Sequence, residues 1–310
     1  MGVCTVGHMI DVLVPHIEGV ALLSDIPGIG PVYYDPLADL PPGTDAQVLV
    51  PPLLAGPAAV RLARRLPALE LVQLLSAGAE SWVGELPSGV ALSDCRGAHG
   101  GATAEWIMAV LLAVFRGLPG FLLRQAEARW DQHATEELAG KQVLIVGAGD
   151  VAENLVRRLA PFEVGTTLVG RRARDGVHGI EEVLDLLPHH DGCAVTVPLT
   201  TETRGLVDAR FLAAMPDGAL LVNVARGPVV DTDALVAELM TGRLRAAVDV
   251  TDPEPLPGDH PLWRAPGVLI TPHVAASGPT TVRRAYAVAA TQIGAFARGE
   301  KPSNLVENEY

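Results

Sequence analysis

The feature that most constrains the fold is a glycine-containing strand–turn–helix motif near the middle of the chain. In "VLIVGAGDVAENL", Gly147 and Gly149 follow an apolar run, and Ala152 occupies the third position of a G-x-G-x-x-G/A fingerprint. The first glycine permits a tight turn, the second lets the backbone approach a pyrophosphate, and a small third residue lets helix and strand pack closely. Because a helix N-terminus also attracts phosphates, the motif predicts a dinucleotide-binding α/β domain.

Apolar runs alternate with helical patterns on both sides of this motif. The predicted strands cover residues 10–14, 46–50, 71–75, 90–93, 142–147, 166–170, 193–197, 219–224, 245–250 and 267–271. Such alternation is typical of parallel sheets with helices on both faces, so we predict two α/β units. A long helix is predicted from about residue 102 to 127, and a final helix over 279–297. Glycine-containing breaks at 98–101 and 276–279 suggest that the second unit is inserted into the first.

Composition limits the classes of function. The chain has 310 residues, 49% of them hydrophobic, which is enough for two cores, and its net charge of −13 argues against nucleic acid or an anionic membrane surface as a partner. The three cysteines, Cys4, Cys95 and Cys193, are widely spaced, which indicates a reducing compartment without disulfides or a zinc cluster. We see no signal-peptide pattern, and the apolar run 106–115 is too short to cross a bilayer. A cytoplasmic protein without a metal is expected.

The end of the second strand of the glycine-motif unit is basic. NAD-binding domains usually place an acidic residue about 20 residues after the glycines, on the ribose 2′-hydroxyl. Here Gly170 is followed by Arg171, Arg172 and Arg174, and Asp175 comes only after them. Arginines at this position suit a 2′-phosphate through charge-assisted hydrogen bonds. We therefore predict NADP as the cofactor, with NAD possible; the alternative is a solvated basic turn.

Three later segments carry candidate catalytic residues. Arg226 follows a strand, where it could bind a substrate carboxylate or pair structurally with an acid. Glu254 lies between two prolines and could orient a histidine, although Asp252 competes for that role. His273 follows a strand that stops at a Thr-Pro dipeptide, a position where α/β proteins expose reactive groups.

Five segments together resemble the D-isomer-specific 2-hydroxyacid dehydrogenases. "LLSAGAESW", "VPLTTETRGLVD", "VNVARGPVVDTDAL", "DVTDPEPLP" and "TPHVAAS" occur in the family's order, and the resemblance covers almost the whole chain. The basic stretch 171–174 is similar to that of the family's NADP-linked glyoxylate and hydroxypyruvate reductases. The resemblance implies reduction of a small 2-keto acid to the D-2-hydroxy acid.

The resemblance also implies a domain arrangement. A Rossmann cofactor domain, residues 99–279, would be inserted into a flavodoxin-like substrate domain made of residues 1–98 and 280–310. The helix 101–127 would form the interface of a homodimer, because it carries more apolar surface than one domain can readily cover. Trp130 either packs within its own chain or, as in related reductases, reaches into the partner's active site.

The family's site residues carry over to matching positions. Arg226, Glu254 and His273 would be catalytic, with His273 as general acid and Glu254 favouring its imidazolium form. The backbone of Ser76, Ala77 and Gly78 would receive the substrate carboxylate together with Arg226. The cofactor would contact Thr103, Gly147, Gly149, Asp150, Val151, Arg171, Arg172, Pro198, Thr203, Val224, Ala225 and Asp249.

Other interpretations stay open at this point. The fold could serve as a dinucleotide-sensing scaffold without turnover, as in the C-terminal-binding protein corepressors, or as a dehydrogenase of another substrate such as phosphite. Leu53 and Leu54, in the loop 50–56, favour a small or apolar substituent on the substrate. The pair His189-His190 is expected to be a solvated turn rather than a metal site, because no third ligand is apparent.

Overall fold

A computed structural model of the protein describes residues 9–53 and 55–306. Cys4 and Leu54 therefore lie outside the described residues, whereas Cys95 and Cys193 are buried free thiols. The chain divides into two compact units. The first comprises the described residues of Met1–His99 and Pro279–Tyr310, and the second is Gly100–Gly278.

The strands and helices follow one another in a regular α/β order. The strands are β1 Ile10–Val14, β2 Ile29–Tyr33, β3 Val48–Leu49, β4 Leu71–Gln73, β5 Ala91–Ser93, β6 Gln142–Val146, β7 Gly165–Gly170, β8 His178–Gly179, β9 Gly192–Val195, β10 Leu220–Asn223, β11 Arg245–Val248 and β12 Val268–Ile270. The helices are α1 Ile17–Leu23, α2 Pro57–Ala63, α3 Gly100–Phe115, α4 Leu118–Ala126, α5 Asp150–Leu159, α6 Val183–Leu186, α7 Ala209–Ala214, α8 Thr232–Met240 and α9 Thr281–Ala297.

The first unit is built on a parallel sheet with the strand order β2-β1-β3-β4-β5. This is the flavodoxin-like order. The sequence did not predict β2, whose "IGPVY" contains a glycine and a proline. Pro31 has no amide hydrogen to donate, and it is tolerated because β2 lies at the edge of the sheet and pairs only with β1 among the described strands.

The second unit is built on a parallel sheet with the order β12-β11-β10-β9-β6-β7-β8. Counted from β6, this is the doubly wound order of a Rossmann domain, extended by one strand. The order reverses between β6 and β9, the point where such sheets bind their ligands. The predicted fold class, two doubly wound parallel-sheet units, is confirmed.

The predicted single helix 101–127 is wrong, because the structure has two helices, α3 and α4, with a bend of 64° between them. Gly117 adopts a left-handed φ of 64°, and Pro119 in the first turn of α4 cannot donate an amide hydrogen bond. Half of α3 is buried, mainly against α5, whereas α4 has no buried residue. The apolar surface left uncovered in this region therefore lies on α4 rather than on α3.

No single helix in the described chain is long and apolar enough to cross a membrane. Taken together, the bent pair α3 and α4 meets the length and composition expected of a membrane-spanning segment. The mostly buried core helices of soluble proteins pass the same test, and half of the residues of α3 are buried.

The prediction of a solvated turn at His189-His190 is wrong for His190. This ring is buried, with Nδ1 lying 2.8 Å from the Leu186 carbonyl and Nε2 lying 2.9 Å from Oγ1 of Thr167. His190 thus ties the end of the α6 segment to β7. In the described residues no group of three or more His, Cys, Asp or Glu side chains could hold a metal ion.

Candidate active site

In the turn after β6, the first glycine is packed against a neighbouring residue and the second has free space beside it. Gly147 has a φ of 120°, and a Cβ added there would lie 2.3 Å from Oγ1 of Thr196, so the position requires glycine. A Cβ at Gly149, the N-cap of α5, would meet nothing within 4 Å. Ala152 is fully buried against the sheet. This arrangement leaves free space at the N-terminus of α5, where a pyrophosphate would bind.

The first residue of α5 uses its side chain within the protein. The carboxylate of Asp150 accepts hydrogen bonds from the Gly100 amide and from Nδ2 of Asn154, both at 2.9 Å. The predicted cofactor contacts at Asp150 and Val151 are therefore expected from the backbone. Thr103, predicted to contact the cofactor, is buried on α3 of the same unit.

The sequence suggested that no acidic side chain lies near the basic stretch after β7. In the structure, one does. Nε and Nη2 of Arg171 lie 2.8 and 2.7 Å from Oε2 of Glu202, which comes from the loop after β9. The hydrogen bond from Arg171 lowers the pKa of Glu202, and the charge of Arg172 adds to the effect. Arg174 donates to the carbonyl of Ala148, inside the glycine turn, at 3.1 Å. An acid that is remote in sequence thus stands beside the arginines.

The loop that carries Glu202 is ordered by its own hydrogen bonds. Oγ1 of Thr203 donates to the Pro198 carbonyl at 2.6 Å and accepts from the Thr200 amide at 2.8 Å. Pro198 and Thr203, both predicted to contact the cofactor, are therefore linked by a hydrogen bond. The loop follows β9, on the other side of the switch point from Gly147.

The turn that carries Arg226 is fixed by a buried asparagine at the end of β10. Asn223 accepts from the Ala225 amide at 3.0 Å and donates to the Arg226 carbonyl at 3.2 Å. Nη1 of Arg226 donates to the Ala225 carbonyl at 2.6 Å, and the side chain is half-buried. Val224 lies in this same turn.

Gly227 joins the Arg226 turn to the segment after β11. A Cβ at Gly227 would lie 1.9 Å from the carbonyl oxygen of Thr251, which is a backbone atom. Only glycine permits this approach, and the turn with Arg226 consequently packs directly on the segment that leads to Glu254.

Asp249 organises the loop that contains His273. Its side chain, 3% exposed, accepts from the hydroxyl of Thr271 at 2.5 Å and from the amides of Val274 and Ala275 at 2.9 and 2.8 Å. Its carbonyl accepts from the His273 amide at 2.7 Å. The predicted contact of Asp249 with the cofactor remains a prediction, but these hydrogen bonds give Asp249 a structural role as well.

His273 faces Glu254. Nδ1 of His273 lies 2.7 Å from Oε1 of Glu254, a contact that favours Glu254 over Asp252 as the carboxylate partner. The backbone of His273 has a φ of 54°, a left-handed conformation that is uncommon for a residue with a side chain and is often found at functional sites. With Nδ1 turned to Glu254, Nε2 is the ring nitrogen left for a reacting group.

Three residues of the second unit thus come from the carboxyl ends of three adjacent strands. Arg226 follows β10, Glu254 follows β11 and His273 follows β12. Carboxyl ends of parallel strands share one edge of the sheet, where α/β proteins place their ligands. The residues that hold them there, Asn223, Gly227 and Thr271, were not predicted to have this role, although all three lie within the motif segments.

The predicted substrate loop lies in the first unit. Oγ of Ser76 donates to the Gly78 carbonyl at 2.9 Å, and the Ser76 carbonyl accepts from the Cys95 amide at 2.9 Å. Nε2 of His99 lies 2.7 Å from the carbonyl of Leu75, just before this loop. Ser76, Ala77 and Gly78 are half-buried. The loop is therefore held from both sides.

Comparison with known proteins identifies the family. Residues 108–275 match the family model described as D-isomer specific 2-hydroxyacid dehydrogenase, NAD binding domain. A glyoxylate reductase from Thermofilum pendens is 33% identical over 234 residues, which cover 71% of this chain and 69% of that protein. An uncharacterized protein from the proB 3′ region of Corynebacterium melassecola is 44% identical over 142 residues, but the match spans only 44% of this chain and 46% of that protein.

Solved structures extend the similarity over both units. A D-isomer specific 2-hydroxyacid dehydrogenase from Xanthobacter autotrophicus Py2, crystallised with NADPH and MES, is 30% identical to this chain. The match has a TM-score of 0.79 and covers 97% of this chain and 98% of that one. The match to the family's NAD-binding domain covers more than half of this chain. The chain therefore belongs to the D-isomer specific 2-hydroxyacid dehydrogenase family.

Proposed function

We propose that the protein reduces small 2-keto acids of the glyoxylate and hydroxypyruvate type to D-2-hydroxy acids, with NADPH preferred to NADH. The observation that carries this proposal is the contact of 2.7 Å between His273 and Glu254, at the same sheet edge as Arg226 and in the unit that holds the glycine turn. A polarising cation, a proton donor and a carboxylate that charges the donor are the protein groups that a carbonyl reduction needs.

The chain's own residues have separate roles in this reaction. The bound dinucleotide supplies the hydride to the carbonyl carbon. Arg226 holds the substrate carboxylate and polarises the carbonyl, while Nε2 of His273 protonates the carbonyl oxygen. The carboxylate of Glu254 stabilises the imidazolium form of His273. In the oxidation direction, neutral His273 accepts the proton from the hydroxyl group.

The preference for NADPH rests on the basic stretch after β7. Arg171 and Arg172 are exposed and adjacent, so they can donate to a 2′-phosphate. The relative from Xanthobacter autotrophicus was crystallised with NADPH, and the relative from Thermofilum pendens is named a glyoxylate reductase. Both facts support this assignment of cofactor and substrate class.

The substrate side of the proposal comes from the first unit. The backbone of Ser76, Ala77 and Gly78 would bind the carboxylate, as the family resemblance implies. Leu53 adds no charge to the loop 50–56, which supports a small or apolar side chain on the keto acid.

We also propose a homodimer, centred on α4, the second of the two helices that replace the predicted helix 101–127. The exposed apolar side chains there are Leu118, Leu122 and Leu123, and Trp130 on the following segment is 93% exposed. Large apolar groups at such exposure are typical of protein–protein interfaces. A molar mass of one chain, measured by light scattering at micromolar concentration, would contradict the dimer. The predicted cytoplasmic location and the absence of a nucleic-acid partner remain predictions.

A panel of initial rates tests the proposed reaction. Glyoxylate, hydroxypyruvate, pyruvate and phenylpyruvate are each offered with NADPH and with NADH. We expect the highest kcat/KM with NADPH and either glyoxylate or hydroxypyruvate. Binding of NADPH without its oxidation by any keto acid would contradict the proposal and indicate a dinucleotide-sensing scaffold instead.

A further inference from the structure

The carboxylate of Glu202 contacts the same nitrogen donors of Arg171 that we propose for binding the 2′-phosphate. Oε2 of Glu202 lies 2.8 Å from Nε and 2.7 Å from Nη2 of Arg171. The usual acid at the end of β7 is absent, but another carboxylate reaches the same place from the loop after β9. The site therefore contains a cation and an anion side by side.

The loop presents Glu202 in a defined position. The amides of Glu202 and Thr203 donate to Oγ1 of Thr200 at 3.2 and 3.1 Å, and Thr203 is tied in turn to Pro198. The side chains of Arg171 and Glu202 are each 60% exposed, so the ion pair is solvated and a ligand can separate it at small cost.

We propose that Glu202 is a specificity-determining residue that works against NADPH and in favour of NADH. A 2′-phosphate must separate the carboxylate from Arg171 or lie beside it, and the two negative charges repel. A 2′-hydroxyl can instead donate a hydrogen bond to the carboxylate, the task of the usual acid after the second strand. This proposal rests on the proposed function, because it assumes that the adenosine ribose binds beside Arg171.

The test compares the dissociation constants of NADPH and NADH by fluorescence titration at low, fixed ionic strength. The variant is Glu202→Gln. The matched control is Glu300→Gln, because Glu300 pairs with Arg298 at the same 2.7 Å and with similar exposure, 58% and 59%. Both substitutions remove one negative charge from an exposed ion pair, so the change in net charge is the same in each.

We expect Glu202→Gln to raise the ratio Kd(NADH)/Kd(NADPH) about fivefold over the wild-type ratio, the upper range for an exposed ion pair. The Glu300→Gln control should leave the ratio at the wild-type value. High salt should reduce the effect of Glu202→Gln, because exposed charges are screened. In an Arg171→Ala background part of the effect should persist, because Glu202 still repels the 2′-phosphate and can still accept a hydrogen bond from the 2′-hydroxyl.

Several results would overturn the proposal. An unchanged ratio in Glu202→Gln, an equal loss of affinity for both cofactors, or the same change in Glu300→Gln would each do so. Because binding is measured without turnover, failure of keto-acid reduction in the wild-type protein would reject the proposed function and leave this test valid. Failure of the wild-type protein to bind either dinucleotide would reject both.

Discussion

The two charged regions of the second unit are built in opposite ways. His273 stands on a loop that three hydrogen bonds tie to the buried carboxylate of Asp249, and its ring contacts Glu254 from the segment after β11. Arg171 and Glu202 meet on the surface, and more than half of each side chain is exposed. Rigid support suits a group that must transfer a proton to a defined atom, whereas an exposed pair can rearrange around a phosphate or a hydroxyl. The comparison predicts large effects at the first region and small ones at the second.

The largest effect is expected for His273→Ala. Loss of the general acid should lower kcat for keto-acid reduction about 10²–10⁴-fold, with little change in the Kd of NADPH. The matched control is His189→Ala, an exposed histidine of the same unit. Retention of more than a tenth of the turnover, measured by steady-state NADPH oxidation, would remove His273 from the chemistry.

A smaller but still large effect is expected for Gly227→Ala. The new methyl group would collide with the Thr251 carbonyl, so the turn with Arg226 and the segment before Glu254 must move apart. We expect a loss of about 3 kcal/mol in the free energy of unfolding, measured by urea denaturation, together with reduced turnover. Gly258→Ala is the control, because a Cβ there would meet no atom within 4 Å. Equal stability of the two variants would show that this packing does not position the site.

The same contrast explains how much the sequence could predict. The G-x-G-x-x-A turn and the strand ends at Arg226 and His273 follow from local motifs and apolar periodicity, which act within short stretches of chain, whereas the two sheet types were implied only by the family resemblance. The contact between Arg171 and Glu202 joins residues 31 apart on two loops, and nothing in either loop alone indicates it. The break at Gly117 was missed because the apolar pattern continues across it. The burial of His190 was also missed, because its hydrogen-bond partner Thr167 lies 23 residues earlier, in β7.

An intermediate effect is expected for Glu254→Gln. Without the negative charge beside Nδ1, the imidazolium form of His273 loses the carboxylate that it contacts at 2.7 Å. Reduction requires the protonated ring, and the loss of activity at high pH should therefore begin at a lower pH than in the wild-type protein. The measurement is the pH profile of kcat/KM, with Asp252→Asn as the control. A profile shifted by the control and not by Glu254→Gln would assign the role to Asp252.

The smallest effect is expected at the exposed pair. The double variant Arg171→Ala/Arg172→Ala should weaken the binding of NADPH roughly tenfold and the binding of NADH much less. The effect is modest because the lost charged hydrogen bonds are partly screened by water. The measurement is fluorescence titration at two ionic strengths, with Arg298→Ala as the control, and the difference should shrink at high salt. Equal weakening of both cofactors would mean that the arginines do not contact the 2′-phosphate.

The most direct test of the account is the stoichiometry and handedness of the product in one reaction. The wild-type protein is mixed with NADPH and hydroxypyruvate, and both the NADPH consumed and the glycerate formed are measured, the latter by chiral chromatography. The account predicts one D-glycerate for each NADPH oxidised, and formation of glycerate at least about 100-fold slower with His273→Ala. Formation of L-glycerate, or no oxidation of NADPH by the wild-type protein, would contradict it.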